Sequence, residues 1–243
     1  MSALAHFIER AGVATITISL IREQTERVNP PRSLWVPFPL GRPFGTAGDA
    51  AFQTDVLKAA FDLLETATEP TIVDFPHDAP GEVGPEQWAC PLNLAVATDD
   101  SLGGRFQAEI DSLRPWFDVT VERRGRTAFG VTGASIDELD QVAVALLGLA
   151  ETASFAELPE GAEWAFDMPL LSRHLASDMR MFYQEALAAQ PGNGAPTHDA
   201  INQWIFGTTV LGEVLQLAAN RALESDDGAT RLIKFLMIPE GHH

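Results

Sequence analysis

The stretch GVATITISLI, residues 12–21, decides which class of fold the sequence predicts. It is almost continuously apolar and rich in β-branched residues, which is typical of a strand buried on both faces of a sheet. Before it, Leu4, Phe7 and Ile8 recur at helical spacing and Gly12 follows, so a short first helix is predicted. A helix that leads directly into a buried strand favours an α/β fold.

The segments that follow extend this pattern. A second strand is predicted at about residues 33–38, an amphipathic helix from Asp49 to about residue 66, and a third strand in TIVDFP, residues 71–76. A helix at about residues 100–115 and a β-hairpin with its turn at Arg124 and Gly125 come next. We therefore expect a small mixed sheet with flanking helices over residues 1–155.

After residue 155 the apolar pattern becomes helical. Two long helical patterns, at residues 161–192 and 197–225, are separated by the breaker PGNGAP, and a shorter helical pattern covers residues 229–238. A short connection implies antiparallel neighbours. We expect a helical carboxyl-terminal portion over residues 156–243, which forms either a separate unit or one continuous domain with the α/β portion.

Charge and cysteine content restrict the classes of partner. The chain has 34 acidic and 16 basic side chains and a net charge of −18, which argues against nucleic acid or an anionic membrane as a partner. Cys90 is the only cysteine, so a disulfide framework or a cysteine-rich zinc site is not expected. We expect a cytoplasmic protein that binds no membrane and needs no cofactor.

A proline-rich loop suggests where a ligand binds. In PPRSLWVPFPLGRPFG, residues 30–45, Arg42 lies between Gly41 and Pro43, and the proline disfavours a helical conformation for the arginine. Ligands of open α/β sheets bind outside the carboxyl ends of strands, and arginine suits bidentate binding of a carboxylate. We expect Arg22, Arg42, Gly41 and Thr25 to bind a small anionic molecule. The alternatives are a surface ion pair for Arg22 and a structural turn for Gly41.

Three further residues are candidates for acid–base chemistry. Asp74 and His77 lie at the end of the third predicted strand and form an acid and base pair if that strand end faces the ligand. Glu23 follows the first strand and is the third candidate. The alternative is that Asp74 and His77 only terminate a strand.

Two sets of residues in the helical portion also have two interpretations. His174 and Asp178 stand four residues apart on one helix face and, with His198, would suit a metal site; the alternative is a hydrogen bond on the helix surface, and no metal is expected. Aromatic residues at helical positions predict either packing between helices or the interface of a homo-oligomer, and these are Phe182, Tyr183, Trp204 and Phe206.

Three segments in order resemble one protein family. They are HFIERAGVATITISLI (residues 6–21), PPRSLWVPFPLGRPFG with its core Pro39-Leu40-Gly41, and DAAFQTDVLKAAFDLLE (residues 49–65). Together they resemble the carboxyl-terminal part of the selenoprotein B component of the glycine, sarcosine, betaine and D-proline reductases. The resemblance covers about residues 4–66. It departs from the family at Phe38 and Arg42, where the reductases tend to have histidine and asparagine.

The resemblance implies a substrate and a reaction. It implies a small carboxylate-bearing, amino-acid-like or thiol-bearing substrate and chemistry at a carbon–nitrogen or carbon–sulfur bond. The matched residues do not include the selenocysteine or cysteine of the family. An enzyme of this kind would therefore either take its nucleophile from a partner enzyme subunit or run chemistry that needs no redox residue, such as hydrolysis or lyase-type elimination. The alternatives are a non-catalytic subunit or scaffold that assembles through its helical tail, and a metal-dependent hydrolase.

Overall fold

The computed structural model describes residues 2–80, 82–84, 86, 88–91, 94, 97–152, 164–189 and 195–239. Contacts within the chain divide it into two compact units, Met1–Val83 and Gly84–His243. The sequence suggested a division near residue 155. The structure divides the chain earlier because helices on either side of residue 155 pack against one another and share one core.

The first unit contains a parallel sheet with helices between its strands. Its elements are α1 (Ser2–Arg10), β1 (Thr17–Ser19), α2 (Arg22–Val28), β2 (Arg32–Trp35), α3 (Ala50–Thr66), β3 (Thr71–Asp74) and the two-residue β4 (Glu82–Val83). The strand order of the sheet is β1-β2-β3, and both pairings are parallel. The α/β class with flanking helices is therefore confirmed. The expectation of a mixed sheet is refined, because these three strands all run in one direction.

The strand at the start of the sheet is shorter than its apolar run. Only Thr17–Ser19 pair with β2, and most of residues 15–20 are half-buried rather than buried on both faces. The Glu9 carboxylate accepts hydrogen bonds from the backbone N–H (2.8 Å) and hydroxyl (3.0 Å) of Thr15, so the Thr15 N–H bonds to a side chain and not to a neighbouring strand. The hydrogen bond from the Thr15 N–H is the main cause that lowers the pKa of Glu9.

The core of the first unit lies between the middle strand and α3. Leu34 and Val36 are fully buried and pack with apolar residues of α3. Three phenylalanine rings lie next to this core with centroids 5.6–5.9 Å apart, and they are Phe38, Phe52 and Phe75. Because Phe75 directly follows β3, its packing holds the carboxyl end of that strand in place.

The second unit is helical. Its elements are α4 (Leu102–Arg124), a 3-10 turn (Ile136–Glu138), α5 (Leu139–Thr152), α6 (Leu170–Ala188), the two-residue β5 (Ala195–Pro196), α7 (His198–Thr208), α8 (Val210–Leu223) and α9 (Gly228–Met237). One hydrophobic core contains residues from each of the helices α4 through α9. The expected helical carboxyl-terminal portion is confirmed. Within the described residues, no helix is both long and apolar enough to cross a membrane.

The predicted β-hairpin at Arg124 and Gly125 is wrong. Helix α4 continues through Pro115 to Arg124, and Gly125 ends it in the left-handed conformation with φ of 65°. Phe117 and Thr120 are buried one turn apart on α4, so packing against α6 keeps this segment helical despite its β-branched residues. Pro115 itself lies on the exposed face of the helix.

The aromatic residues of the helical portion serve packing between helices. Within the chain, Phe182 and Tyr183 are fully buried and Trp204 is nearly so. Their rings contact one another with centroids about 6 Å apart. Phe206 is half-buried and lies under the guanidinium of Arg180. Of the two interpretations offered by the sequence, the structure confirms packing between helices.

Candidate functional site

The three parallel strands end side by side at one edge of the sheet. Ser19 of β1 lies opposite Trp35 of β2, and Trp35 lies opposite Asp74 of β3. The Val36 N–H donates a hydrogen bond to the carbonyl of Ser19, and the Phe75 N–H donates to the carbonyl of Trp35. These bonds extend the register by one residue. The carboxyl ends of all three strands therefore meet at the edge where ligands of parallel sheets bind.

Arg22 reaches across this edge. It is the first residue of α2, and its Nη1 donates a hydrogen bond to Oδ1 of Asp74 at the far strand. Its Nε donates to Oε1 of Glu26 at 2.9 Å, and its guanidinium lies 5.4 Å from the ring centroid of Trp35. One side chain thus links the segment after β1 to the ends of both β2 and β3.

The charges at this edge are open to solvent. The side chains of Arg22, Asp74 and Glu26 are 39%, 50% and 53% exposed. Hydrogen bonding to Asp74 is the main cause that raises the pKa of Arg22, so the guanidinium stays charged. Exposed ion pairs contribute little to stability because water screens them. A ligand can therefore exchange with these partners at small cost.

Thr25 does not belong to the exposed site. It is buried, and its hydroxyl donates to the carbonyl of Ile21 at 2.8 Å and lies in hydrogen-bond contact with the hydroxyl of Ser19. These contacts fasten α2 to the end of β1. Substrate binding by Thr25 stays a prediction, and in the structure its hydroxyl is used inside the unit. Its contribution is to fix the helix that carries Arg22.

Consecutive turns hold the loop that carries Arg42. The Arg42 N–H donates a hydrogen bond to the carbonyl of Pro39 at 3.0 Å, and the Gly45 N–H donates one to the carbonyl of Arg42 at 2.9 Å. Gly41 has φ of 89° at the third position of the first turn, a conformation that favours glycine. The predicted turn role of Gly41 is thus confirmed, and the Arg42 backbone is fixed. The loop starts from the strand whose last residue is Trp35.

The candidate acid and base are not assembled as a pair. The Asp74 carboxylate contacts Arg22, and among the described residues no hydrogen bond joins Asp74 to His77. The exposed His77 ring lies edge-on to Phe75 with centroids 5.7 Å apart. Glu23 is exposed in the first turn of α2. The edge has the features of a charged binding site, and general acid–base catalysis by Asp74 and His77 stays a prediction.

The candidate metal ligands in the second unit have other roles. Both oxygens of Asp178 accept hydrogen bonds from the loop after α4, and the His174 ring stacks on Phe166 at 4.0 Å. His198 lies in hydrogen-bond contact with the side-chain amide of Asn202 at 3.1 Å. Over the ranges that the structure describes, no three His, Cys, Asp or Glu side chains are grouped to hold a metal ion.

The sequence did not single out Trp35 as a site residue. A signal was present, because Trp35 lies in the second predicted strand, two residues before the prolines at its carboxyl end, where ligands bind. Its contact with Arg22 depends on the helical course of α2, which the sequence did not predict. Comparisons of the chain with protein-family models, with curated proteins and with solved structures found no match.

Proposed function

We propose that the protein binds a small amino-acid-like zwitterion at the carboxyl edge of its parallel sheet. Arg22 takes the carboxylate of the ligand, and Asp74 takes its amine. The observation that carries this proposal is the side-by-side position of one exposed guanidinium and one exposed carboxylate at the common end of three parallel strands.

The charge arrangement selects the class of ligand. A simple carboxylate would separate Arg22 from Asp74 and leave Asp74 without a cation. A zwitterion supplies a charge of the opposite sign to each partner, so both side chains keep an ion pair. Planar guanidinium groups bind carboxylates through two parallel N–H donors, which fixes the orientation of the ligand.

This ligand agrees with what the resemblance to the reductase component B implies. Those enzymes act on small amino-acid-like substrates, and we propose that this protein presents such a molecule to a nucleophile of a partner enzyme subunit for carbon–nitrogen or carbon–sulfur bond chemistry. We place this function in the cytoplasm. Arg42, from the neighbouring loop, is proposed as a second contact to the ligand carboxylate.

A thermal-shift titration tests the binding step. Glycine, sarcosine and betaine are compared with acetate, which has only the carboxylate, and with methylamine, which has only the amine. We expect the three zwitterions to raise the unfolding midpoint, because a ligand that binds only the folded state stabilises it by mass action. Acetate and methylamine should raise it much less at the same concentration and ionic strength.

Matched variants locate the site. Arg22→Gln and Asp74→Asn should each abolish the zwitterion-dependent shift. Arg114→Gln is the control, because Arg114 is also about one-third exposed, at 36%, and also pairs with a carboxylate four residues on, at 3.1 Å. Equal shifts in Arg22→Gln and in the unaltered protein, or no shift with any zwitterion, would contradict the proposal.

A second candidate function is a scaffold that assembles through its helical tail. One face of α9 packs on the core through Ile233 and Met237, while Leu232 and Phe235 are 63% and 62% exposed. Adjacent exposed apolar side chains on one helix are typical of an interaction surface. Light scattering after size-exclusion chromatography tests this function: Leu232→Ser with Phe235→Ser should convert an oligomer to a monomer, and a monomeric unaltered protein would contradict self-assembly.

A further inference from the structure

A cleft of about 490 Å³ lies in the second unit. It is formed by residues 88–90 and 94 and by residues of α7. Its lining includes Trp88, Cys90, Leu94, Gln203, Trp204 and Thr208. Clefts of about 300–1,000 Å³ hold small-molecule ligands in other proteins. The volume is therefore sufficient for a ligand of two or three fused rings.

The walls of the cleft are aromatic. The rings of Trp88 and Trp204 meet nearly at right angles, with an interplanar angle of 86° and centroids 6.4 Å apart. Trp204 is almost fully buried and also contacts the buried ring of Tyr183, so one wall is held by the hydrophobic core. Two perpendicular rings form a corner in which a planar ring stacks on one face and meets the edge of the other.

The rim of the cleft is polar but uncharged. Gln203 and Thr208 are exposed at the open side of α7 and offer an amide and a hydroxyl. Among the lining residues that the structure describes, none carries a charge. A charged ligand would lose its hydration without gaining an ion pair, which disfavours it. A neutral ligand with hydrogen-bonding atoms on its ring edge is favoured by this rim.

We propose that the cleft lined by Trp88 and Trp204 binds a neutral, planar heteroaromatic molecule. The molecule stacks in the corner formed by these two rings and forms a hydrogen bond with the side-chain amide of Gln203 at the rim. This site lies in a different unit of the chain from the sheet edge and does not depend on the function proposed there. Cys90, the single cysteine of the chain, lines the cleft and reports whether it is occupied.

Protection of Cys90 from alkylation tests the proposal on the full chain. Iodoacetamide is applied with and without caffeine, quinoxaline or lumichrome as neutral heteroaromatic probes, and the alkylated fraction is followed by mass spectrometry. At ten times the dissociation constant the unoccupied fraction falls about tenfold, so alkylation should slow by about that factor. Cyclohexanol, which is neutral but not planar, and benzoate, which is aromatic but charged, should give little protection.

Variants separate recognition from loss of folding. Trp88→Leu should remove the protection, while Trp116→Leu is the control because Trp116 is also half-buried in this unit but does not line the cleft. Gln203→Ala alters only an exposed side chain and should weaken protection severalfold even if Trp88→Leu does not fold. Absence of protection by all three probes, equal protection by cyclohexanol, or a Cys90 that resists iodoacetamide without any probe would each overturn the proposal.

Discussion

Two carboxylates of α6, those of Asp178 and Glu185, accept hydrogen bonds from the loop that follows α4. Asp178 is fully buried and accepts hydrogen bonds from the N–H groups of Gly130 (3.0 Å), Val131 (2.8 Å) and Thr132 (3.0 Å) and from the Thr132 hydroxyl (2.5 Å). Glu185, two turns further along α6, accepts from the N–H of Ala128 at 3.1 Å. These acceptors replace the strand ladder that a hairpin would have provided.

Asp178→Asn should therefore destabilise the protein. The new amide group places N–H donors against backbone N–H donors, and a buried donor without an acceptor costs about 1–3 kcal/mol. We expect the free energy of unfolding to fall by about 2 kcal/mol or more in urea titrations. Asp118→Asn, on the exposed face of α4, is the control and should change it by less than about 0.5 kcal/mol. Equal effects of the two substitutions would contradict the role assigned to Asp178.

We expect the buried carboxylate of Glu109 to make the stability of the protein depend on pH. Its carboxylate accepts hydrogen bonds from Tyr183 Oη (2.6 Å), Val210 N–H (3.0 Å) and Leu211 N–H (3.2 Å) at the start of α8. Burial raises the pKa of Glu109 above its ordinary value, and the hydrogen bonds only partly offset this. The same environment raises the pKa of Tyr183, chiefly through burial.

The sign of the effect follows from proton binding. Because the pKa of Glu109 is higher in the folded state, the folded state binds more protons than the unfolded state just above pH 4.5. The stability that Glu109 contributes is present below that pH and is lost as the pH rises through the folded pKa. Glu109→Gln should lack this loss, so the advantage of the unaltered protein over the variant should shrink as the pH rises above about 4.5. Parallel pH profiles of the two proteins in urea unfolding would contradict this prediction.

At the scale of elements, a glycine sets the approach of α7 to α8. A Cβ atom added to Gly212 would lie 2.2 Å from the carbonyl oxygen of Ile205 and 2.8 Å from the Cα of Phe206. Both obstacles are backbone atoms of the preceding helix, which cannot move aside as a flexible side chain can. The sharp passage from α7 to α8 thus depends on a residue without a side chain.

Gly212→Ala and Gly207→Ala should have opposite effects. The first forces two helices apart, and overpacking of this kind costs about 1–3 kcal/mol. The second adds a Cβ in open space within α7, where replacing glycine by alanine stabilises a helix by about 0.5–1 kcal/mol. Thermal unfolding of both variants checks the pair, and a neutral Gly212→Ala would show that the helices are not held this closely.

Helix α4 shows how packing overrides local signals. From the sequence, this helix was predicted to end near Pro115. Proline has no backbone N–H donor and disfavours the interior of a helix. In the structure the exposed position of Pro115 limits the disturbance, while Phe117 and Thr120 are buried against α6. Thr120 also donates its hydroxyl to the carbonyl of Glu185 at 2.6 Å. Contacts to residues about 65 positions away in the chain therefore decided the length of this helix.

At the scale of the whole molecule, the net charge of −18 opposes folding by self-repulsion. Salt screens this repulsion, and it also weakens individual ion pairs such as Arg105 with Glu213 at 2.8 Å. Because acidic side chains outnumber basic ones 34 to 16, we expect the repulsion between carboxylates to outweigh the attraction within the ion pairs.

Raising NaCl should therefore raise the unfolding midpoint. An increase from about 20 mM to about 200 mM shortens the screening length from about 20 Å to about 7 Å. We expect a rise of roughly 2–4 °C, which corresponds to about 1 kcal/mol for a chain of this size. Choline chloride at equal ionic strength is the control for specific sodium binding. A lower midpoint in salt would show that the ion pairs outweigh the repulsion.

The sequence by itself determined the features that depend on local pattern. The period of the apolar residues predicted α3 and the helical carboxyl-terminal portion, and the β-branched run at residues 12–21 predicted a strand at the start of the sheet. The prolines and glycines of residues 37–45 predicted the turns around Gly41. Each of these depends on neighbours within a few residues.

Only the tertiary structure decided which distant residues meet. Arg22 and Asp74 are 52 residues apart in the chain, and their contact requires three strands in parallel register and a short helix after the first of them. Asp178 meets the loop at Gly130–Thr132 for a similar reason, across about 47 residues. Such pairs leave no periodic trace in the sequence, because the packing of buried apolar faces, and not local propensity, brings them together.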